Sequence, residues 1–207
     1  MPLFNAVGNH DVGNRELYRR HFGDVSYGDF VLGRTLFLIL DTELDRGRIS
    51  GEQLDFLDGA LNAAEKEDRI ASVVLFSHRL LFVPDDPRFD IVFLHLNSRQ
   101  GYRTDGSFRR DVLPHLKRLA TRKPVVWMAG DIGVSRSLPL FFHREEDVDL
   151  TWIATGMGDT ADDVLLRLEA APTGKIAIEV ISLDGREEKV MLESMGMAFW
   201  KQHFGLR

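Results

Sequence analysis

Three apolar runs in this chain, residues 4–7, 73–76 and 125–129, each give way at once to a small residue and a polar donor. The three junctions read Gly8-Asn9-His10-Asp11, Ser77-His78 and Gly130-Asp131. Runs this short and this rich in Val, Leu, Phe and Trp fit buried strands better than helices. An open α/β sheet binds its ligands just beyond the carboxyl ends of its strands. The pattern therefore predicts an α/β fold in which Asn9, His78 and Asp131 meet, although they lie far apart along the chain.

Between these runs strand and helix signals alternate. Residues 2–7 read as a first strand, and Asn14 as the cap of a short helix running to Phe22. Residues 25–32 and 35–40, parted by Gly33-Arg34, read as a hairpin whose turn calls for a positive φ at the glycine. Ser50 and Gln53 have capping-box spacing ahead of the Leu54, Leu57 and Leu61 stripe of a helix ending near Glu65. Phe108, Val112, Leu116 and Leu119 mark another helix, which Pro114 predicts to be kinked or to start late. Further strands are predicted over 150–155, 164–170 and 175–182, followed by a helical tail over 187–204. At 207 residues and 44% hydrophobic content, the expectation is a single domain over 1–207 with one substantial core.

A net charge of −6 lacks the Lys and Arg excess that bulk nucleic-acid binding requires. Without cysteine there is no disulfide framework, thiolate metal site or cysteine nucleophile, so any metal must be held by His, Asn and carboxylates. No basic leader precedes the first apolar run, and no run reaches the roughly 18 residues of a membrane span. A soluble, cytoplasmic protein is the expectation.

Gly8-Asn9-His10-Asp11 after a strand resembles the G-N-H-[D/E] motif of the calcineurin-like metallophosphoesterases. Ser77-His78 after a strand is similar to the isolated histidine of that family. The resemblance implies an α/β fold of two sheets in a sandwich flanked by helices. It also implies an enzyme that hydrolyses phosphoric esters with water activated by divalent metal: manganese, iron, zinc or magnesium. Asn9 and His78 would ligate one metal, with Asp131 in place of a family histidine. His10 would sit beside the phosphoryl group, with Asp11 orienting its ring. The donor chemistry is coherent apart from the family name: amide and carboxylate oxygens suit hard cations, imidazole admits iron or zinc, and a fixed tautomer makes histidine a ligand.

The family's opening D-x-H and G-D-x-x-D motifs are absent, and its closing G-H-x-H is replaced by Gly130-Asp131-Ile132-Gly133. These departures predict the carboxyl-terminal part of a longer enzyme, truncated at its amino end, or a chain whose sheet edge is covered by a partner. Several hundred Å² of wet apolar surface would otherwise cost on the order of 10 kcal/mol, a typical domain's whole stability. The competing expectation is a non-catalytic binding or interaction module that keeps the sheet alone.

Among the arginines, Arg79 is the first candidate for a substrate phosphate because it adjoins His78, ahead of Arg99, Arg103, Arg109 and Arg110. Asp41 ends a strand and is expected to hydrogen-bond the loop of Thr42 and Glu43. His95, inside an apolar run, is expected in the core or a pocket wall. Gly156-Met157-Gly158-Asp159 reads as a turn rather than a phosphate loop, and no Gly-x-Ser-x-Gly elbow supports a serine hydrolase.

Overall fold

A computed structural model of the chain describes residues 3–97, 99–132, 140–156, 163–183, 185 and 190–205. In chain order the elements are α1 (Arg15–Phe22), β1 (Gly28–Leu32), β2 (Thr35–Ile39), α2 (Gly51–Lys66), β3 (Ser72–Ser77), α3 (Asp90–Phe93) and α4 (Leu113–Ala120). They continue with β4 (Val125–Ala129), β5 (Leu140–Arg144), β6 (Leu150–Thr155), β7 (Val164–Ala170), β8 (Ile176–Ser182) and α5 (Met197–Phe204). The architecture is mixed α/β. One six-stranded sheet runs β1-β2-β3-β4-β6-β5, and a separate antiparallel pair is formed by β7 and β8.

The sheet's centre is parallel, β2 to β3 to β4 to β6, with antiparallel β1 and β5 at its edges. Parallel strands covered on both faces need apolar side chains on both, which is why TLFLI and VVWMA are buried at every position. Their period of two splits the core. Leu36, Leu38, Val73, Leu75, Val125 and Trp127 join a cluster with the buried stripes of α2 and α4, Leu57, Leu61, Leu116 and Leu119. Phe37, Val74, Val126 and Met128 face the other way, onto Val164 of β7 and Val180 of β8.

Most predicted elements lie where expected. The Asn14 side chain accepts the Leu17 N–H at 2.9 Å and starts α1. Gly33 turns the β1–β2 hairpin with φ of 61°. Pro114 does not kink a helix: a π-helical turn over Phe108–Val112 precedes it, and α4 begins with the proline in its first turn, where the missing N–H costs nothing.

Other readings are corrected. Residues 3–7 are not a strand: the places beside β2 and β3 are filled, and the segment does not pair with the open edge of β1. The segment lies against the sheet instead, with Val7 buried and Phe4 stacked on Phe30 at 4.1 Å. The Ser50–Gln53 capping box does not form either. Ser50 donates to Asp45 at 2.7 Å, while the Gln53 amide bonds both backbone groups of Asp41, at 2.7 and 3.0 Å. The tail divides at Gly196 into a 3-10 turn, Leu192–Met195, and α5, whereas residues 186–189 lie outside the described set. β5 is an additional strand that the sequence did not signal separately.

The β7–β8 pair packs on the second face of the larger sheet. Beside it lies an apolar groove of about 390 Å³ lined by Leu3, Phe4, Phe30, Phe37, Leu168 and Ala170 among others. Among the described residues no helix is long and apolar enough to cross a membrane.

Candidate functional site

β2, β3 and β4 run parallel and in register, so the residues just past them emerge at one edge. After β2 come Asp41, Thr42 and Glu43; after β3, His78 and Arg79; after β4, Gly130 and Asp131. The His78 carbonyl accepts both the Gly130 and the Asp131 N–H at 2.9 Å, which ties the ends of β3 and β4 together. Their side chains then meet: His78 Nε2 stands 3.7 Å from Asp131 Oδ1.

The third group arrives from the amino-terminal turn. Asn9 Oδ1 lies 3.0 Å from the same His78 Nε2. The turn approaches closely because residue 8 is glycine: a Cβ there would stand 3.0 to 3.1 Å from the His78 ring. Asn9, His78 and Asp131 are thus brought together, the last two from strand ends and Asn9 from a turn that no strand precedes. Burial pushes the His78 imidazole below the ordinary histidine value, against the pull of Asp131 and Glu43, so it is neutral near pH 7. Burial also raises the Asp131 carboxyl, against the pull of His78, Tyr102, Arg79 and Asn97.

The remaining predicted residues have other settings. His10 lies exposed on the turn. Asp11 accepts the Gly8 N–H at 2.9 Å and closes that turn, instead of holding the His10 ring. Its short side chain reaches back to the Gly8 N–H across a turn that the Asp11 N–H also closes, onto the Gly8 carbonyl at 3.0 Å. Arg79 is buried, and its fork is taken by Glu43 at 2.5 and 2.8 Å, so it is not an open phosphate clamp. Asp41 is buried as well, and accepts from Arg15 at 2.5 Å, Ser26 and the Glu43 N–H at 2.8 Å, which includes the loop contact expected of it. His95 bonds the Ile91 carbonyl at 2.7 Å and packs on Phe204, a core role. Gly133 and residues 157–162 lie outside the described residues.

Three contributors were not read from the sequence. Tyr102 donates to Asp131 Oδ2 at 2.9 Å, the Asn97 side chain also bonds that carboxylate, and Glu43 neutralises Arg79. Glu43 follows the same strand-end pattern as the others and was legible by it. Tyr102 and Asn97 sit in the 84–106 loop with no local signal.

No family model matches the sequence, and no curated protein matches it. A crystal structure of a protein from Acinetobacter baumannii, assigned to the enoyl-CoA hydratase/isomerases, is similar over 53% of this chain and 42% of its own. The identity there is 18% and the TM-score 0.29, a likeness that carries no inference about fold or activity. The resemblance to calcineurin-like metallophosphoesterases is corrected: no family model and no curated relative upholds it. A strand followed by a short polar turn arises in any α/β protein whose loops must leave a buried sheet, so four residues and a lone histidine do not define a family. Among the described residues, His, Asp and Glu alone form no group of three able to hold a metal. The cluster here counts an asparagine.

Proposed function

We propose that Asn9, His78 and Asp131 hold a divalent cation and that the chain hydrolyses a phosphoric ester. One observation supports the cation: two oxygen acceptors, Asn9 Oδ1 and Asp131 Oδ1, approach one imidazole nitrogen at 3.0 and 3.7 Å. Donors about 2.1 Å from a common ion stand about 3.0 Å apart at a right angle and about 3.4 Å apart at a tetrahedral angle. The two distances bracket those values. With Asn9 Oδ1 accepting, Nε2 carries the ring proton; moving that proton to Nδ1 would give Nε2 the lone pair a ligand needs. Two hard oxygens favour manganese or magnesium while the ring admits zinc or iron.

When bound, such an ion supplies a Lewis acid for a phosphoryl oxygen and lowers the pKa of water. The chain's own part is positional. Gly8 lets the turn close on His78, Asp11 holds that turn, and exposed His10 is the group beside Asn9 free to meet a substrate oxygen. The second reading, a binding module without catalysis, is favoured by Arg79 and Asp11 being committed to internal partners.

Manganese titration by calorimetry, together with hydrolysis of p-nitrophenyl phosphate and its diester, separates these readings. Saturable binding plus turnover, both lost in Asn9→Ala, supports the hydrolase. Binding without turnover leaves the module, and absence of binding rejects the site.

A further inference from the structure

We propose that Tyr102 is a positioning residue that presents Asp131 to a cation through one oxygen only, an inference that rests on the metal reading above. The Tyr102 hydroxyl is buried and has two partners: it accepts the Leu80 N–H at 3.2 Å and donates to Asp131 Oδ2 at 2.9 Å. With its accepting side turned to Leu80, its single proton is directed at Asp131. The Arg79 guanidinium adds to this from the same side. It lies 5.1 Å over the Tyr102 ring, with Nη1 3.9 Å from Asp131 Oδ2, and is itself anchored by Glu43.

The carboxylate is thereby given two unlike ends. Oδ2 takes the Tyr102 proton and lies near Arg79, while Oδ1 faces His78 Nε2 at 3.7 Å; the Asn97 side chain also bonds the carboxylate. A carboxylate held by one oxygen cannot rotate to chelate an ion with both, so the outer partner sets denticity as well as direction. The loop carrying Tyr102 is joined to this strand end by the bridge between Leu96 and Ile132, and it is packed tightly: a Cβ on Gly101 would come 2.4 Å from Arg79 Nη1. Movement of the 84–106 loop would therefore be felt at Asp131.

The test compares wild type, Tyr102→Phe and Asn9→Ala for manganese affinity by calorimetry and for the visible spectrum of the cobalt-loaded protein. Tyr102→Phe is expected to weaken manganese binding about 10- to 100-fold and to shift the cobalt bands as Asp131 changes denticity. A folded Tyr102→Phe with affinity within about twofold of wild type and an unchanged cobalt spectrum overturns the proposal, since second-sphere losses are of the larger size. If that variant does not fold, the wild-type Tyr102 hydroxyl proton, observed by NMR, provides the second measurement. It must shift on zinc addition, and a resonance that stays in place overturns the proposal equally. Wild type that binds no metal removes the metal site and this inference together. Wild type that binds, with Asn9→Ala failing and Tyr102→Phe unaffected, removes the inference alone.

Discussion

Gly8→Ala tests the close approach on which the site depends. The added Cβ would stand 3.0 Å from His78 Nδ1 and 3.1 Å from Cγ and Cε1. Comfortable contacts lie at about 3.5 to 4.0 Å, so the turn and the ring must separate by about 0.5 Å or more. The ring has little room to retreat, because its backbone carbonyl is held by Gly130 and Asp131 N–H at 2.9 Å. The turn must give instead, and Asn9 Oδ1 moves away from Nε2 by a comparable distance. Overpacking of this kind costs about 1 to 3 kcal/mol of stability. Displacing one ligand by a substantial fraction of an ångström is expected to weaken manganese binding about tenfold or more. Calorimetric titration measures the affinity, urea denaturation the stability, and imidazole nitrogen shifts report whether His78 loses its Asn9 contact. A Gly8→Ala protein with wild-type affinity and unchanged His78 nitrogen shifts would falsify the packing of this turn against the ring.

Two further outcomes follow from other parts of the molecule. Burial acts to raise the Glu145 carboxyl, but the two hydrogen bonds of Arg88 and the Trp152 N–H overcome it and hold the group at about 2. A depressed folded-state value contributes stability that is complete above the ordinary 4.5 and is lost as pH falls toward 2. Wild type should lose on the order of 2 kcal/mol from this group across that window, with the half-exposed Arg88 moderating the effect. Glu145→Gln should flatten the acid limb of urea stability against pH, and superimposable limbs refute the assignment. Leu57 is fully buried between α2 and the sheet, so Leu57→Ala should cost about 3 kcal/mol in urea denaturation. A loss below about 1 kcal/mol would mean that α2 does not pack there.

The central strands were readable in the linear order of residues because burial on both faces permits only apolar side chains, and Val125–Ala129 and Leu150–Thr155 match their predicted limits. The Asn14 cap and the Gly33 turn were readable for a similar reason: each answers to a backbone need within a few positions. The meeting of His78 and Asp131 was anticipated from strand ends, because parallel strands in register deliver their following residues to one edge, whereas Asn9 reaches them from a turn that no strand precedes.

What local pattern did not carry was choice among competing partners. Gln53 was spaced to cap α2 but found the backbone of Asp41, Asp11 stood next to His10 but closed on Gly8, and Arg79 adjoined His78 but paired with Glu43. Residues 3–7 had the composition of a strand, yet they join neither sheet and instead pack Val7 and Phe4 against one. Tyr102 reached Asp131 from 29 residues away with nothing nearby to announce it. Periodicity reports how much water each face of an element tolerates, a property of the residue and its near neighbours. Which buried polar group meets which depends on the packing of distant segments, and that is decided only when the chain closes on itself.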